Sequence, residues 1–124
     1  MNIQEAAAAL RAGKTSSAAL TAAAFDRIRD ENPRVNAIQT VMEESARARA
    51  RQADEELARG QDLGPLHGIP IGLKDLFATK GVRTTGGSKL FENRVPDHDD
   101  AVVEKLRAAG AVIVGKCGLF DVTP

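Results

Sequence analysis

The 124-residue sequence has one cysteine, no tryptophan, no tyrosine and only four phenylalanines. Its single thiol, Cys117, cannot form an internal disulfide and has no second thiol with which to build a paired metal site, which favours a cytoplasmic protein. The sequence also lacks a run of about 18 apolar residues and the basic and apolar segments of a secretory signal. We therefore expect neither membrane insertion nor secretion.

The formal net charge is zero, because 17 Lys and Arg balance 17 Asp and Glu. The balance holds in each half of the chain, so the basic surplus of a nucleic-acid binder or a membrane-surface protein is absent. Alanine accounts for 21 residues, and large apolar side chains are correspondingly few. We expect a single domain with a small core, or a core that is completed by another chain.

The chain changes character near Gly60. Residues 1–60 are rich in Ala and Arg with helical periodicity, whereas residues 61–124 contain short apolar runs between Gly and Pro. We predict one α/β domain over residues 1–124, with a helical segment followed by a strand-loop-helix-strand segment.

Apolar spacing and helix breakers predict the individual elements. The second helix is expected to end at Asn32, because Pro33 cannot donate a backbone hydrogen bond. Alternation of Ile69, Ile71 and Leu73 predicts a strand, and the apolar run 111–115 predicts a strand covered on both faces. The other expected elements are a helix over Ile3–Arg11, an extended segment over 35–41, a helix over about 43–59 with a small stripe of Ala46, Ala50, Ala53 and Leu57, and a helix ending at Gly110.

The most informative stretch is residues 64–116. Its segments read Gly64-Pro65-Leu66-His67-Gly68-Ile69-Pro70-Ile71-Gly72-Leu73-Lys74-Asp75, then Lys80-Gly81-Val82-Arg83-Thr84-Thr85-Gly86-Gly87-Ser88, and finally Ala101-Val102-Val103-Glu104-Lys105-Leu106-Arg107-Ala108-Ala109-Gly110-Ala111-Val112-Ile113-Val114-Gly115-Lys116. In order and spacing these segments resemble the opening part of the amidase signature family. This family comprises the Ser-Ser-Lys amidohydrolases, including the glutamine-hydrolysing subunit of tRNA-dependent amidotransferases. The resemblance covers nearly the whole chain and implies the N-terminal helices and first strands of a larger mixed sheet, which is incomplete here.

Lys74 is the residue to which both the chemistry and the resemblance point. If its stem lies among the preceding apolar residues, partial desolvation disfavours the ammonium form and makes the amine usable as a base. On composition alone, the alternative is that Lys74 pairs with Asp75 or reaches water. The resemblance implies that Lys74 is the family's catalytic lysine.

In the family, this lysine accepts a proton relayed through a serine in a cis peptide while a second serine attacks the amide carbonyl. Both serines belong to a Gly/Ser-rich stretch that lies beyond the residues of this chain. The resemblance implies hydrolysis of a carboxamide to acid and ammonia, with a small-molecule amide substrate and no cofactor. The alternative is an inert piece that pairs its strand edges with a copy of itself or with another protein, so we expect an oligomer or a missing C-terminal segment.

Three residues are candidates for supporting or lining the approach to Lys74, namely Asp75, Gly87 and Ser88. Ser88 matches a structural Gly-Ser position of the family and neither catalytic serine. It is expected to bond to local backbone in a turn.

Other chemistries fit the sequence less well. A phosphate loop is excluded at residues 81–89, because Lys does not directly follow the second Gly. No metal site is expected at His67 or His98, which lack further ligands at metal spacing. Cys117 is expected to pack beside the buried strand, because no activating base is visible. From Cys117 to Pro124 the sequence departs from the family pattern.

Overall fold

The computed structural model describes residues 2–118. In chain order its elements are α1 (Ile3–Arg11), α2 (Ser17–Val35), β1 (Ile38–Val41), α3 (Glu43–Ala58), β2 (Pro70–Lys74), a 3-10 turn (Lys89–Phe91), α4 (Ala101–Ala108) and β3 (Val112–Cys117). The expected α/β class is therefore confirmed.

Polar caps fix the starts of the first two helices. The Asn2 side chain accepts a hydrogen bond from the Glu5 amide at 2.8 Å, and the Ser16 hydroxyl accepts one from the Ala19 amide at 3.0 Å. Each cap satisfies a helical N–H that has no partner within its own helix. The expected bounds of the first helix are confirmed, and Gly13 follows it with a φ of 72°.

The expected end of the second helix at Asn32 is wrong, because α2 includes Pro33 and continues to Val35. Proline removes only one donor, and in the last turn that loss leaves the next bonds intact. Asn36 then ends the helix with a φ of 51°, and its N–H donates to the Asn32 carbonyl at 2.6 Å. The Asn32 side chain also bonds to both the N–H and the carbonyl of Ile38, each at 2.8 Å, which attaches the helix end to β1. The expected extended segment over 35–41 is correspondingly shorter.

The strands form a mixed sheet in the order β1-β3-β2. The central strand β3 runs antiparallel to β1 and parallel to β2. Leu73 lies opposite Lys116 and Lys74 lies opposite Cys117 in the parallel pair. The carboxyl ends of β2 and β3 therefore meet at one edge of the sheet, which is where ligands bind in many α/β proteins.

The core is built largely from small side chains. Ala46 and Ala50 of α3 pack with Phe25 of α2 against Val112 and Val114 of β3. On the other face of β3, Ile113 packs with Val103 of α4 and Leu73 of β2. Alternate residues of a strand point to opposite faces, so β3 is covered on both sides, as its continuous apolar run predicts. No helix within the described residues is long and apolar enough to cross a membrane.

Candidate active site

Lys74 is the last residue of β2 and lies beside Cys117 at the carboxyl edge of the parallel strand pair. Its side chain is exposed, whereas that of Leu73 is buried. The structure thus differs from the expected partial burial of Lys74, because adjacent strand residues point to opposite faces. Of the two alternatives, pairing with Asp75 is not observed, because the ion pair of Asp75 is with Lys116, whereas the exposed side chain agrees with a lysine that reaches water.

Lys116 is a site residue that the sequence pattern did not reveal. It belongs to β3, and its side chain is fully buried. Its Nζ donates to the Phe77 carbonyl at 2.8 Å, to the Thr79 hydroxyl at 3.0 Å and to the Thr84 hydroxyl at 2.8 Å. Burial lowers the pKa of Lys116, and the nearby Asp75 carboxylate opposes this effect.

The hydrogen bonds around Lys116 are those of an ammonium group that donates to three oxygens. The Thr79 hydroxyl donates to the Phe77 carbonyl and the Thr84 hydroxyl donates to the Val82 carbonyl, each at 3.0 Å. With the hydroxyl hydrogens directed at these carbonyls, Lys116 supplies the hydrogen in each of its three contacts. A charged amine with all three donors engaged offers no lone pair to a reacting group.

Asp75 fixes the position that follows Lys74. Its backbone N–H donates to the Cys117 carbonyl at 3.0 Å, and its carbonyl accepts from the Gly86 amide at 2.7 Å. The buried carboxylate accepts through Oδ2 from both the amide and the hydroxyl of Thr85. Its other oxygen, Oδ1, has no hydrogen-bond partner within residues 2–118 and lies 3.8 Å from Lys116 Nζ.

The turn containing Gly87 and Ser88 is attached to Asp75 through Thr85. The Thr85 hydroxyl accepts from the Gly87 amide, and the Thr85 carbonyl accepts from the Ser88 amide, both at 3.1 Å. The Ser88 hydroxyl accepts from the Leu90 amide at 3.2 Å, which is the local backbone bond expected of a turn residue. An open cleft of about 330 Å³ is lined by Asn36, Gln39, Arg83, Thr85, Gly87, Ser88, Lys89 and Glu92. Its use as an approach to Lys74 stays a prediction.

His67 is buried and is held by hydrogen bonds at both ring nitrogens. Its ring is fully buried, Nδ1 accepts from the Leu63 amide at 3.1 Å, and Nε2 lies 2.8 Å from Glu56 Oε1. Because Nδ1 accepts, the ring proton is on Nε2 and is donated to Glu56. That hydrogen bond lowers the pKa of the Glu56 carboxyl, burial opposes the effect, and Arg49 at 2.9 Å lowers the pKa further.

Neither His98 nor Cys117 belongs to a catalytic arrangement within the described residues. His98 is exposed, and burial raises the pKa of the Cys117 thiol, which disfavours the thiolate. Within residues 2–118, no three metal-ligating side chains are grouped as a metal site. The divergent residues from Leu119 onwards lie outside the described residues.

Comparison with known proteins gives consistent matches. The family model described as Amidase matches residues 19–120. The A-subunit of the glutamyl-tRNA(Gln) amidotransferase of Carboxydothermus hydrogenoformans is 43% identical over 121 residues, which are 98% of this chain and 25% of the relative. Its counterpart from a Geobacter species is 47% identical over 116 residues, 94% of this chain and 24% of the relative.

A solved structure also matches. The native peptide amidase from Stenotrophomonas maltophilia superposes with a TM-score of 0.89 at 35% identity, and the match covers 96% of this chain and 25% of that one. The chain therefore spans about a quarter of the length of the relatives that it matches. This share agrees with the expected resemblance to an N-terminal portion only.

Proposed function

Because the chain belongs to the amidase family, we propose that the protein hydrolyses a carboxamide to a carboxylic acid and ammonia, with Lys74 as the base. The observation that carries the proposal is the position of Lys74. It lies at the carboxyl edge of the parallel strands with an exposed side chain, and the residue after it is held by backbone and side-chain hydrogen bonds.

The proposed reaction proceeds through an acyl-enzyme. The Lys74 amine takes up the proton that a bridging serine relays from the nucleophilic serine, whose oxygen bonds to the amide carbon. Collapse of the tetrahedral intermediate breaks the carbon-nitrogen bond, and the proton returns to the departing ammonia. Water then hydrolyses the acyl ester. In this proposal both serines come from the part of the protein beyond residue 124.

The hydroxyls of the four serines in this chain are hydrogen-bonded to backbone groups. The Ser16 hydroxyl caps α2, and the buried Ser17 hydroxyl donates to the Gly68 carbonyl at 2.7 Å. The Ser45 hydroxyl lies 3.4 Å from the Met42 carbonyl at the start of α3, and that of Ser88 accepts from the Leu90 amide. None of these contacts joins a serine to Lys74, which supports a nucleophile from elsewhere.

Lys74 fits the role of base better than the buried Lys116. All three hydrogens of the Lys116 ammonium are donated to fixed oxygens, so loss of a proton there would leave one of these oxygens without its donor. The Lys74 amine is exposed in the described part of the chain and is accessible to a proton relay. In this proposal, the desolvation that makes an amine a usable base comes from the part of the protein that also supplies the serines.

A chimera tests this proposal. Residues 2–118 replace the matched quarter of the Stenotrophomonas maltophilia peptide amidase, and ammonia release is measured with a panel of arylamides, aliphatic amides, glutamine and an amidated dipeptide. We expect Lys74→Ala to lower kcat by about 10²–10⁴-fold, the range for loss of a general base. Lys105→Ala is the matched control, because it removes an exposed lysine from α4. Activity of a folded Lys74→Ala chimera equal to that of the control would contradict the proposal.

The 124-residue chain by itself is expected to release no ammonia. Release that disappears in Lys74→Ala would mean that a nucleophile exists within these residues, and the structural interpretations of Ser88 and Cys117 would then be wrong.

The second candidate function is self-association without catalysis. It is favoured by large apolar side chains that the described residues leave on the surface, including Leu90 at 83%, Val95 at 58% and Leu76 at 57% exposure. The pairing described for β2 is with β3 alone, so its other edge can pair with another strand. Sedimentation of the chain is expected to give an oligomer. A compact monomer with a cooperative thermal transition would contradict this candidate. Cytoplasmic location, absence of a cofactor and lack of nucleic-acid contact remain predictions.

A further inference from the structure

We propose that a buried polar cluster positions the amine of Lys74 by fixing the chain segment that follows it. The cluster consists of Asp75, Thr79, Thr84, Thr85 and Lys116. This inference rests on the proposed role of Lys74 as the base. The cluster residues do not touch substrate in this proposal; they act through the backbone of Lys74 and through the turn at Gly87.

The β-ladder between β2 and β3 ends just after Lys74. Lys74 is the last residue of β2, and the bond from the Asp75 N–H to the Cys117 carbonyl is the last one between β2 and β3. Beyond that bond the restraint comes from Asp75, whose carboxylate accepts from the amide and hydroxyl of Thr85 and whose carbonyl accepts from the Gly86 amide. Lys74 and Asp75 share a peptide plane, and a displacement of Asp75 therefore moves the Lys74 backbone.

Lys116 also restrains the loop between Asp75 and Thr85. Lys116 projects from the central strand and donates to Phe77, Thr79 and Thr84, which lie at the two ends of this loop. A single ammonium thus holds both ends of the loop against β3. Apolar residues can often replace a buried ion pair such as Lys116–Asp75 at little cost in stability. The distinctive contribution of Lys116 is therefore the direction of its three hydrogen bonds.

The charges of Asp75 and Lys116 balance each other. Asp75 and Lys116 are both buried, and Asp75 Oδ1 faces the Lys116 ammonium at 3.8 Å without a hydrogen-bond partner in the described part of the chain. Within the described residues, the Lys116 ammonium compensates the charge of this carboxylate, so a shift of either side chain weakens the pair. Thr85 transmits their position to the turn, because its hydroxyl also accepts from the Gly87 amide.

Matched threonine variants of the chimera test the cluster. Thr85→Val preserves the side-chain volume but removes the hydroxyl between Asp75 and Gly87, whereas Thr85→Ser keeps it. We expect Thr85→Val to lower kcat by about 10–100-fold, the loss that a misplacement of about 1 Å produces, with KM changed less than about threefold. Thr85→Ser should recover at least about a third of kcat. Thr84→Val and Thr84→Ser test the Lys116 branch in the same way.

A second measurement needs no activity. In the 124-residue chain, Thr85→Val should accelerate hydrogen exchange of the Gly87 amide by at least about tenfold, because its acceptor is gone, while the Ala50 amide in α3 keeps its rate. Thr85→Ser should restore slow exchange at Gly87. If the parent chimera releases no ammonia, which counts against the proposed function, this measurement still tests the Thr85–Gly87 bond on which the positioning depends.

Three kinetic results would overturn the positioning role. These are an unaltered kcat in folded Thr85→Val, an effect confined to KM, and equal loss of kcat in Thr85→Val and Thr85→Ser. Unaltered exchange at Gly87 in Thr85→Val would also overturn it, whatever the activity of the chimera.

Discussion

Replacement of Gly110 by alanine is expected to destabilise the chain through one identifiable contact. Gly110 follows α4 with a φ of 81°, and its carbonyl accepts from the Gly68 amide at 2.9 Å. An added Cβ would lie 2.9 Å from Cγ and 3.2 Å from Cα of His67. The imidazole cannot retreat easily, because it is buried between the Leu63 amide and the Glu56 carboxylate.

The cost of this substitution has separable parts. A left-handed backbone costs alanine about 1–2 kcal/mol, and overpacking a rigid site costs about 1–3 kcal/mol. Reduced freedom of the unfolded chain offsets about 0.4–1 kcal/mol. Gly60 provides the matched control, since its φ is 80° and no atom lies within 4 Å of the added Cβ. The net loss is then about 3 kcal/mol for Gly110→Ala and about 1 kcal/mol for Gly60→Ala.

Urea unfolding followed by far-UV circular dichroism measures both variants at one protein concentration, since the chain has no tryptophan or tyrosine for fluorescence. The difference between the two free energies of unfolding isolates the contact with His67. Equal destabilisation by Gly110→Ala and Gly60→Ala would refute the reasoning, because the backbone conformation alone would then account for both.

Three further predictions concern a carboxylate, a helix end and the thiol. The hydrogen bond from His67 lowers the pKa of the Glu56 carboxyl. The contribution of Glu56 to stability is therefore present above the ordinary pKa of 4.5 and is lost as the pH falls through the lower pKa of the folded chain. Glu56→Gln should flatten the acid side of a plot of urea midpoint against pH, and an unaltered plot would contradict this. Asn36→Ala should destabilise the chain by about 1 kcal/mol and Asn36→Gly should not, because residue 36 has a φ of 51°; equal urea midpoints for both variants would contradict the left-handed cap. Burial raises the pKa of the Cys117 thiol, so iodoacetamide should modify the folded chain more slowly than the urea-unfolded chain at the same pH, and equal rates would contradict the burial.

Local patterns were sufficient for much of the fold. The first helix has its expected bounds, the alanine stripe of α3 is buried, and the apolar run before Lys116 forms a strand covered on both faces. These features depend on periodicity within one element, which a sequence displays directly. The end of α2 could not be obtained in this way, because bonds from the Asn32 side chain to Ile38 act across elements.

The candidate site was likewise predictable only where its residues are recognised from their sequence neighbours. Lys74 was identified from its neighbours and the family resemblance, and its place at the strand end follows from the period-two pattern. Lys116 was missed because its partners, Phe77, Thr79 and Thr84, lie more than thirty residues earlier in the chain. The available signal was a charged residue directly after a fully apolar run, because a lysine in a strand covered on both faces needs buried acceptors.

The kcat for ammonia release by the Lys74→Ala chimera, relative to the Lys105→Ala chimera, tests the role of Lys74 as the base. A lysine base at the end of β2 predicts a ratio lower by about two to four orders of magnitude, with both proteins folded. A ratio near one in an active chimera would contradict the account, because the proton would then be accepted by a group other than Lys74.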